Sequence, residues 1–211
     1  MIKERLVTYI EQSIRKNWDI EALSNFREKG YTYREIAERI MKFHIFFRKA
    51  GIMEGDKIAL VGRNSANWCM VYLATVTYGA VIVPVLPDFK PEDHTHIINH
   101  SDSRILFVDD KLWETLDIGR MPAIEAVISV DSFNMITSSS PETARQYESL
   151  DTEFKSLYPA FGNEDVRFSD VTNDKLAVIS YTSGTTGFSK GVMLSHNSLA
   201  ANVRFAQKHM P

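Results

Sequence analysis

The 211 residues can bury one sizeable core or two small ones, and 44% hydrophobic with 24% charged residues is an ordinary globular balance. A formal net charge of −3, with acidic and basic residues interspersed, leaves no electrostatic footprint for nucleic acid or an anionic membrane. The lone cysteine, Cys69, excludes an internal disulfide; set in an apolar stretch, it reads as a small core residue, and a disulfide-free chain fits a cytoplasmic setting.

Charges recur from Lys3 to Asp19 with no apolar h-region, so no signal peptide is predicted. From Ile2 to about Lys16, Leu6, Val7, Ile10 and Ile14 recur at helical spacing, the pattern of an amphipathic surface helix. Thr32 and Glu35 form a capping box opening a second helix. Ile36, Ile40, Phe43 and Phe47 are its inward stripe, and Gly51 stops it. His44 beside that stripe reads as a packed side chain and not as a ligand.

Lys57 to Gly62 is a short apolar strand. Asn64 or Ser65 caps a helix over about Ala66–Tyr78, which Gly79 closes. Ala80 to Val85 is β-rich, with Pro84 placing it at a strand end or a sheet edge. The stretch from Asn64 to Pro87 carries no charge, and its Gly and Pro breaks make it a buried helix and strand, not a membrane span. A helix over about Pro91–His100, a strand over Arg104–Val108, a short helix over Leu112–Leu116 and a strand over Ile124–Val130 follow. This alternation predicts an α/β fold: a layered α/β/α arrangement with a mainly parallel sheet and right-handed crossovers. Residues 1–50 are the leading helices, 51–130 a βαβ subdomain, and 131–173 a surface connection with a helical pattern around Glu142–Leu157. Residues 174–211 are a strand-loop-strand hairpin and a final helix.

The hairpin loop, Tyr181-Thr182-Ser183-Gly184-Thr185-Thr186-Gly187-Phe188-Ser189-Lys190-Gly191, follows a strand and precedes another. Its glycines allow backbone N–H groups to converge on one anion, its hydroxyls add donors, and Lys190 adds a mobile cation. These are the parts of a polyphosphate cradle. A ligand-free hairpin turn rarely runs to this length. The Walker A pattern fails: counting from Gly184, Ser189 holds the second glycine position and Gly191 follows the lysine. No helix begins at Lys190 either.

The stretch YTSGTTGFSKGVMLSH resembles the phosphate-loop signature of the adenylate-forming (AMP-binding) superfamily, which includes acyl-CoA ligases, luciferase-like enzymes and peptide-synthetase adenylation domains. YTYREIAERI, GIMEGDKIALVGRNSANW, YGAVIVPVLP and INHSDSRILFVDD fall in the order seen in the N-terminal part of bacterial long-chain fatty acyl-CoA ligases. The likeness is weakest over 131–173. Ser189 departs from the usual proline, which leaves the loop looser.

The resemblance implies an incomplete N-terminal portion of the large domain of an adenylate-forming enzyme, without the small C-terminal domain and its catalytic lysine. It implies ATP, Mg2+, coenzyme A and a fatty acid as ligands, with ATP phosphates on Thr182, Ser183, Gly184, Thr185, Thr186, Gly187 and Lys190. Thr185, Thr186 and Lys190 are the first choices for direct contact. No catalytic residue and no metal ligand is assigned within the chain, and His196 reads as a packing or capping residue. The expected activity of the parent is activation of a fatty acid to acyl-adenylate and then acyl-CoA, with the 211 residues inactive alone and self-associating through exposed apolar surface. The fatty-acid assignment rests on Arg63, Asn64, Trp68 and the Val83–Pro91 stretch. The alternatives are an aryl or amino-acid adenylation domain and a non-catalytic nucleotide-binding module. Partners are small molecules, without nucleic acid or a transmembrane segment; peripheral membrane contact stays open.

Overall fold

The computed structural model describes residues 4–182 and 190–210. In chain order these form α1 (Leu6–Lys16), β1 (Glu21–Leu23), β2 (Tyr31–Thr32), α2 (Tyr33–Lys49), β3 (Lys57–Val61), α3 (Ala66–Tyr78), β4 (Val81–Val85) and α4 (Pro91–His100). There follow β5 (Ser103–Val108), α5 (Asp110–Trp113), β6 (Ala126–Ser129), β7 (Met135–Ser138), α6 (Pro141–Glu148), α7 (Leu150–Leu157), β8 (Leu176–Thr182), β9 (Lys190–Ser195) and α8 (His196–His209).

A seven-stranded sheet runs in the order β7-β6-β5-β3-β4-β8-β9. Its five central strands are parallel, and β7 and β9 add antiparallel edges. The strands read as near-continuous apolar runs because both faces are covered. Alternate residues sort onto two faces. Ile58, Leu60, Ile82, Ile105, Phe107 and Ile128 pack with α1, α2, α3 and α7. Ala59, Val61, Val83, Val85, Leu106 and Val108 pack with Ile97 and Ile98 of α4. The layers are therefore α/β/α, as the alternation predicts. The direction of travel explains the sorting. From β3 through α3 to β4 the chain steps one way; from β4 through α4 to β5 it steps back past β3. Crossovers of one hand then put α3 and α4 on opposite faces.

Thr32 Oγ1 accepts from the Glu35 N–H at 3.3 Å while Glu35 Oε2 accepts from the Thr32 N–H at 2.8 Å, closing the capping box of α2. That second bond, from the Thr32 backbone, lowers the Glu35 carboxyl below its ordinary value. α2 carries more than the single inward stripe read from sequence: Met41, Ile45 and Phe46 are buried as well. The reason lies in residues 131–173. In place of a plain surface connection, this stretch supplies edge strand β7 and the helices α6 and α7, split at Ser149. Leu150 and Phe154 of α7 join the core beneath α2, and Tyr147 of α6 packs edge-on against Phe46, with ring centroids 4.8 Å apart. Around Phe43, the rings of Phe107 and Phe133 stand edge-on with centroids 5.1 and 5.2 Å away. Burying each such ring contributes roughly 1.5–3 kcal/mol.

Of the two places expected for Pro84, a strand end or a sheet edge, the structure shows the first: β4 is an interior strand. Pro84 is tolerated there because it lies near the end of β4, beyond the backbone pairing with β8 at Ile82↔Val178. The uncharged stretch from Asn64 to Pro87 becomes α3 and β4, and no described helix is long and apolar enough to cross a membrane. Gly79 closes α3 with φ 94°. Cys69, read as a core residue, is only half-buried on α3, and burial raises its thiol pKa.

His44 is buried on α2, with Nε2 2.9 Å from the Ala74 carbonyl oxygen and 3.1 Å from Thr77 Oγ1. A carbonyl only accepts, so Nε2 carries the proton and the imidazole is a packed neutral donor. Desolvation lowers its pKa from 6.5 to about 4. Between those values the unfolded chain takes up a proton that the folded one refuses. His44 should therefore cost stability as pH falls from 6.5 to about 4, by roughly 3 kcal/mol at the acid end, and cost nothing above that window. Urea unfolding across pH 4–8 reads this, and a His44→Gln variant should lose that part of the acid sensitivity.

Candidate functional site

The exits of β3 and β4 set the site. After β3 the chain turns to the α3 face; after β4 it turns to the α4 face. A crevice must open between two such exits, at the carboxyl ends of parallel strands, where open α/β sheets bind ligands. A cavity of about 750 Å³ lies there, lined by Gly62, Arg63, Asn64 and Trp68 beyond β3, by Pro84–Asp88 of β4 and its exit, and by Ser180–Thr182 of β8. Ser65 caps α3 by accepting from the Trp68 N–H at 3.0 Å, which fixes where the Trp68 wall begins. Arg63 is exposed at this crevice and makes no ion pair among the described residues. Sequence reading had singled out Arg63, Asn64, Trp68 and Val83–Pro91 one by one; it did not bring them together with the end of β8.

The hairpin borders the same crevice. β8 and β9 pair antiparallel, with Tyr181 opposite Gly191 and Thr182 opposite Lys190. Lys190 therefore opens a strand, which confirms the strand-loop-strand context and removes the Walker A geometry. Thr182 and Lys190 are exposed at the carboxyl end of β8, and Lys190 forms no ion pair among the described residues. Ser183, Gly184, Thr185, Thr186 and Gly187, assigned to the phosphates from sequence, lie outside the described residues, as does Ser189.

Gly191 is a glycine for reasons of space. A Cβ there would sit 2.8 Å from Ile179 Cγ2 and 3.2 Å from Tyr181 Cζ. The Tyr181 ring lies across the gap and is buried.

His196 is fully buried as the first residue of α8, beside the Leu176↔Ser195 end of the hairpin, away from residues 183–189. Six residue steps beyond Lys190 put it roughly 20 Å along the direction of β9. Its N–H donates to the Lys175 carbonyl at 2.9 Å, its ring nitrogens meet no partner among the described residues, and burial lowers its pKa. It packs, as expected; the cap itself is Ser195, whose Oγ accepts from the Ser198 N–H.

The AMP-binding enzyme family matches residues 10–211. The chain belongs to that family. It is 27% identical over 209 residues to a medium-chain fatty-acid–CoA ligase of Escherichia coli, covering 94% of this chain and 34% of that enzyme. It is 29% identical over 174 residues to a long-chain-fatty-acid–CoA ligase of Thermus thermophilus, covering 80% of this chain and 28% of that one. The chain thus spans about a third of the length of the curated relatives it matches. Its fold superposes with a TM-score of 0.74, at 17% identity, on an anthranilate CoA ligase solved with anthranoyl-AMP, covering 95% of this chain and 35% of that structure. The family member described here therefore has the fold of the N-terminal portion of the large domain of adenylate-forming enzymes.

Gly191→Ala should lower stability by about 1–3 kcal/mol through the clash with Ile179 and the Tyr181 ring. Chemical denaturation of the variant checks this, and a midpoint equal to wild type would contradict the packing described.

Proposed function

We propose that Thr182, Ser183, Gly184, Thr185, Thr186, Gly187 and Lys190 hold the β- and γ-phosphates of ATP in an acyl-CoA ligase of the fatty-acid-activating type. The observation that carries this is the cross-strand pair Thr182↔Lys190, which sets an exposed hydroxyl and an ammonium without an ion pair among the described residues side by side at the lip of the switch-point crevice. In the proposed reaction a carboxylate oxygen bonds to the α-phosphorus of ATP, the bond to the β-phosphate's bridging oxygen breaks, and pyrophosphate leaves with that electron pair. A thiolate, that of coenzyme A, then takes the acyl group from AMP. What this chain's residues do is hold the leaving pyrophosphate and neutralise its growing charge, which is positioning plus electrostatic stabilisation.

Among the described residues no cluster of three or more His, Cys, Asp or Glu is placed to hold a metal. Mg2+ would accompany the nucleotide. On the same reading, residues 51–130 form the crevice-bearing unit and 174–211 the phosphate-loop hairpin with its helix. The setting proposed is cytoplasmic, with small-molecule substrates.

Titration of the chain with inorganic pyrophosphate and MgATP tests the assignment. Lys190→Ala should weaken pyrophosphate binding roughly 10- to 100-fold, the weight of a charge-assisted contact. Equal affinity in wild type and variant would overturn it. Carboxylate-dependent ATP–pyrophosphate exchange should be absent from the 211 residues alone, and the gene product carrying them should show it with medium- and long-chain fatty acids. Exchange driven by aryl or amino acids instead would move the substrate assignment to those classes.

The outer edge of the hairpin carries the proposed self-association. Val192 and Met193 of β9 are 47% and 68% exposed, and Phe205 of α8 is 61% exposed. An edge strand with an apolar, uncovered face is a pairing surface. Sedimentation velocity should show a concentration-dependent rise in mass, which Met193→Lys reduces.

A further inference from the structure

We infer that Tyr181 and His100 are a positioning pair that holds the end of β8, which delivers Thr182, against the carboxyl end of α4. The inference rests on the phosphate-loop reading and adds to it two residues outside the set assigned to the phosphates.

The first argument is about what backbone pairing leaves undone. β8 pairs with β4 at Ile82↔Val178. From Val178 on to Thr182, the β9 side keeps its partners through Ile179↔Met193, Ser180↔Val192, Tyr181↔Gly191 and Thr182↔Lys190. The β4 side of this terminal stretch has no such ladder among the described residues. A strand end held along one side only can splay, and this is the end that leads into residues 183–189.

The second argument is what stands there instead. Tyr181 is the last buried residue before the loop, 4% exposed, and its side chain joins the cluster on the α4 face. Its hydroxyl lies 2.7 Å from Nδ1 of His100, the final residue of α4 and 81 positions away in sequence. The two rings meet edge to face with centroids 5.8 Å apart at 86°. Across the hairpin the ring passes over Gly191, where a Cβ would come within 3.2 Å of Tyr181 Cζ. Tyr181 is thus gripped on one side by the missing side chain of Gly191 and on the other by His100. α4 itself starts just past Leu86–Asp88, which line the crevice. His100 stands at the other end of that helix, about 14 Å along its axis from Pro91, so one hydrogen bond ties the carboxyl end of α4 to the strand that delivers Thr182.

Neither residue is placed on a phosphate, so the expected signature is local. In the 211-residue chain, Tyr181→Phe and His100→Ala should each weaken inorganic pyrophosphate binding roughly three- to tenfold, the weight of one hydrogen bond. The double variant should be no weaker than either single one, because both remove the same bond. His100→Asn, whose amide can stand where Nδ1 stands, should restore most of the affinity. Amide hydrogen exchange at Thr182 and Lys190–Val192 should quicken in Tyr181→Phe and His100→Ala, with the β3 amides unchanged. Wild-type affinity together with wild-type exchange in Tyr181→Phe would overturn the pair. So would exchange that quickens equally throughout the sheet, which marks a general loss of stability. If the wild-type chain does not bind pyrophosphate, or Lys190→Ala binds as wild type does, the phosphate reading fails. The hairpin amides then still decide whether the pair holds the strand end.

Discussion

A parallel sheet must be covered on both faces, and that constraint organises this molecule. Every central strand offers one apolar row to α1, α2, α3 and α7 and the other to α4. Because the chain steps from β3 outward to β4 and then back across β3 to β5, the covering helices leave in opposite directions. The crevice between the exits of β3 and β4 is the geometric consequence of covering both faces with crossovers of one hand. No residue had to be spent on hollowing it out.

The crevice opens at the carboxyl ends of the strands, while Arg104 gathers a cluster of polar contacts at their other end. Arg104, near the start of β5, donates to Asp56 at 2.6 Å, to Glu125 at 2.8 and 3.0 Å, and to the Gly51 carbonyl at 2.8 Å. It locks the amino-terminal edge, where neighbouring strand starts would otherwise leave acidic side chains and a helix-ending carbonyl unpaired. At the carboxyl-terminal edge, Arg63 and Lys190 make no ion pair among the described residues. Cations committed to carboxylates at one edge and uncommitted at the other are the electrostatic arrangement an anionic ligand requires.

Much of the fold was legible before any coordinates. The predicted bounds of α3 and α4 coincide with the observed helices, because Ser65, Gly79 and Pro91 are strong boundary signals. The capping box of Thr32 and Glu35 was equally plain, since both its hydrogen bonds are local. What escaped notice depended on distant partners. β7 is a short strand of half-buried residues whose only reason to be extended is β6 beside it. The second buried side of α2 requires α6 and α7 to fold over it, and nothing within Tyr33–Lys49 announces them. Pro84 left a strand end and a sheet edge both open, because a lone strand cannot report which of its sides a neighbour will leave unpaired.

The same division holds at the site. Ser, Thr, Gly and Lys at their spacing in 182–190, bounded by two apolar runs, carry the expectation of a polyphosphate cradle and fail the Walker A pattern, since those are properties of local order along the chain. Net charge is legible in the same way, residue by residue. Only the tertiary structure decided that Arg63, Trp68, Leu86 and Thr182 share one crevice, and that His100 meets Tyr181 across 81 positions. Strand order and crossover direction determine those meetings. They arise from covering both faces of the sheet at once, a condition on the whole chain that no local stretch of sequence contains.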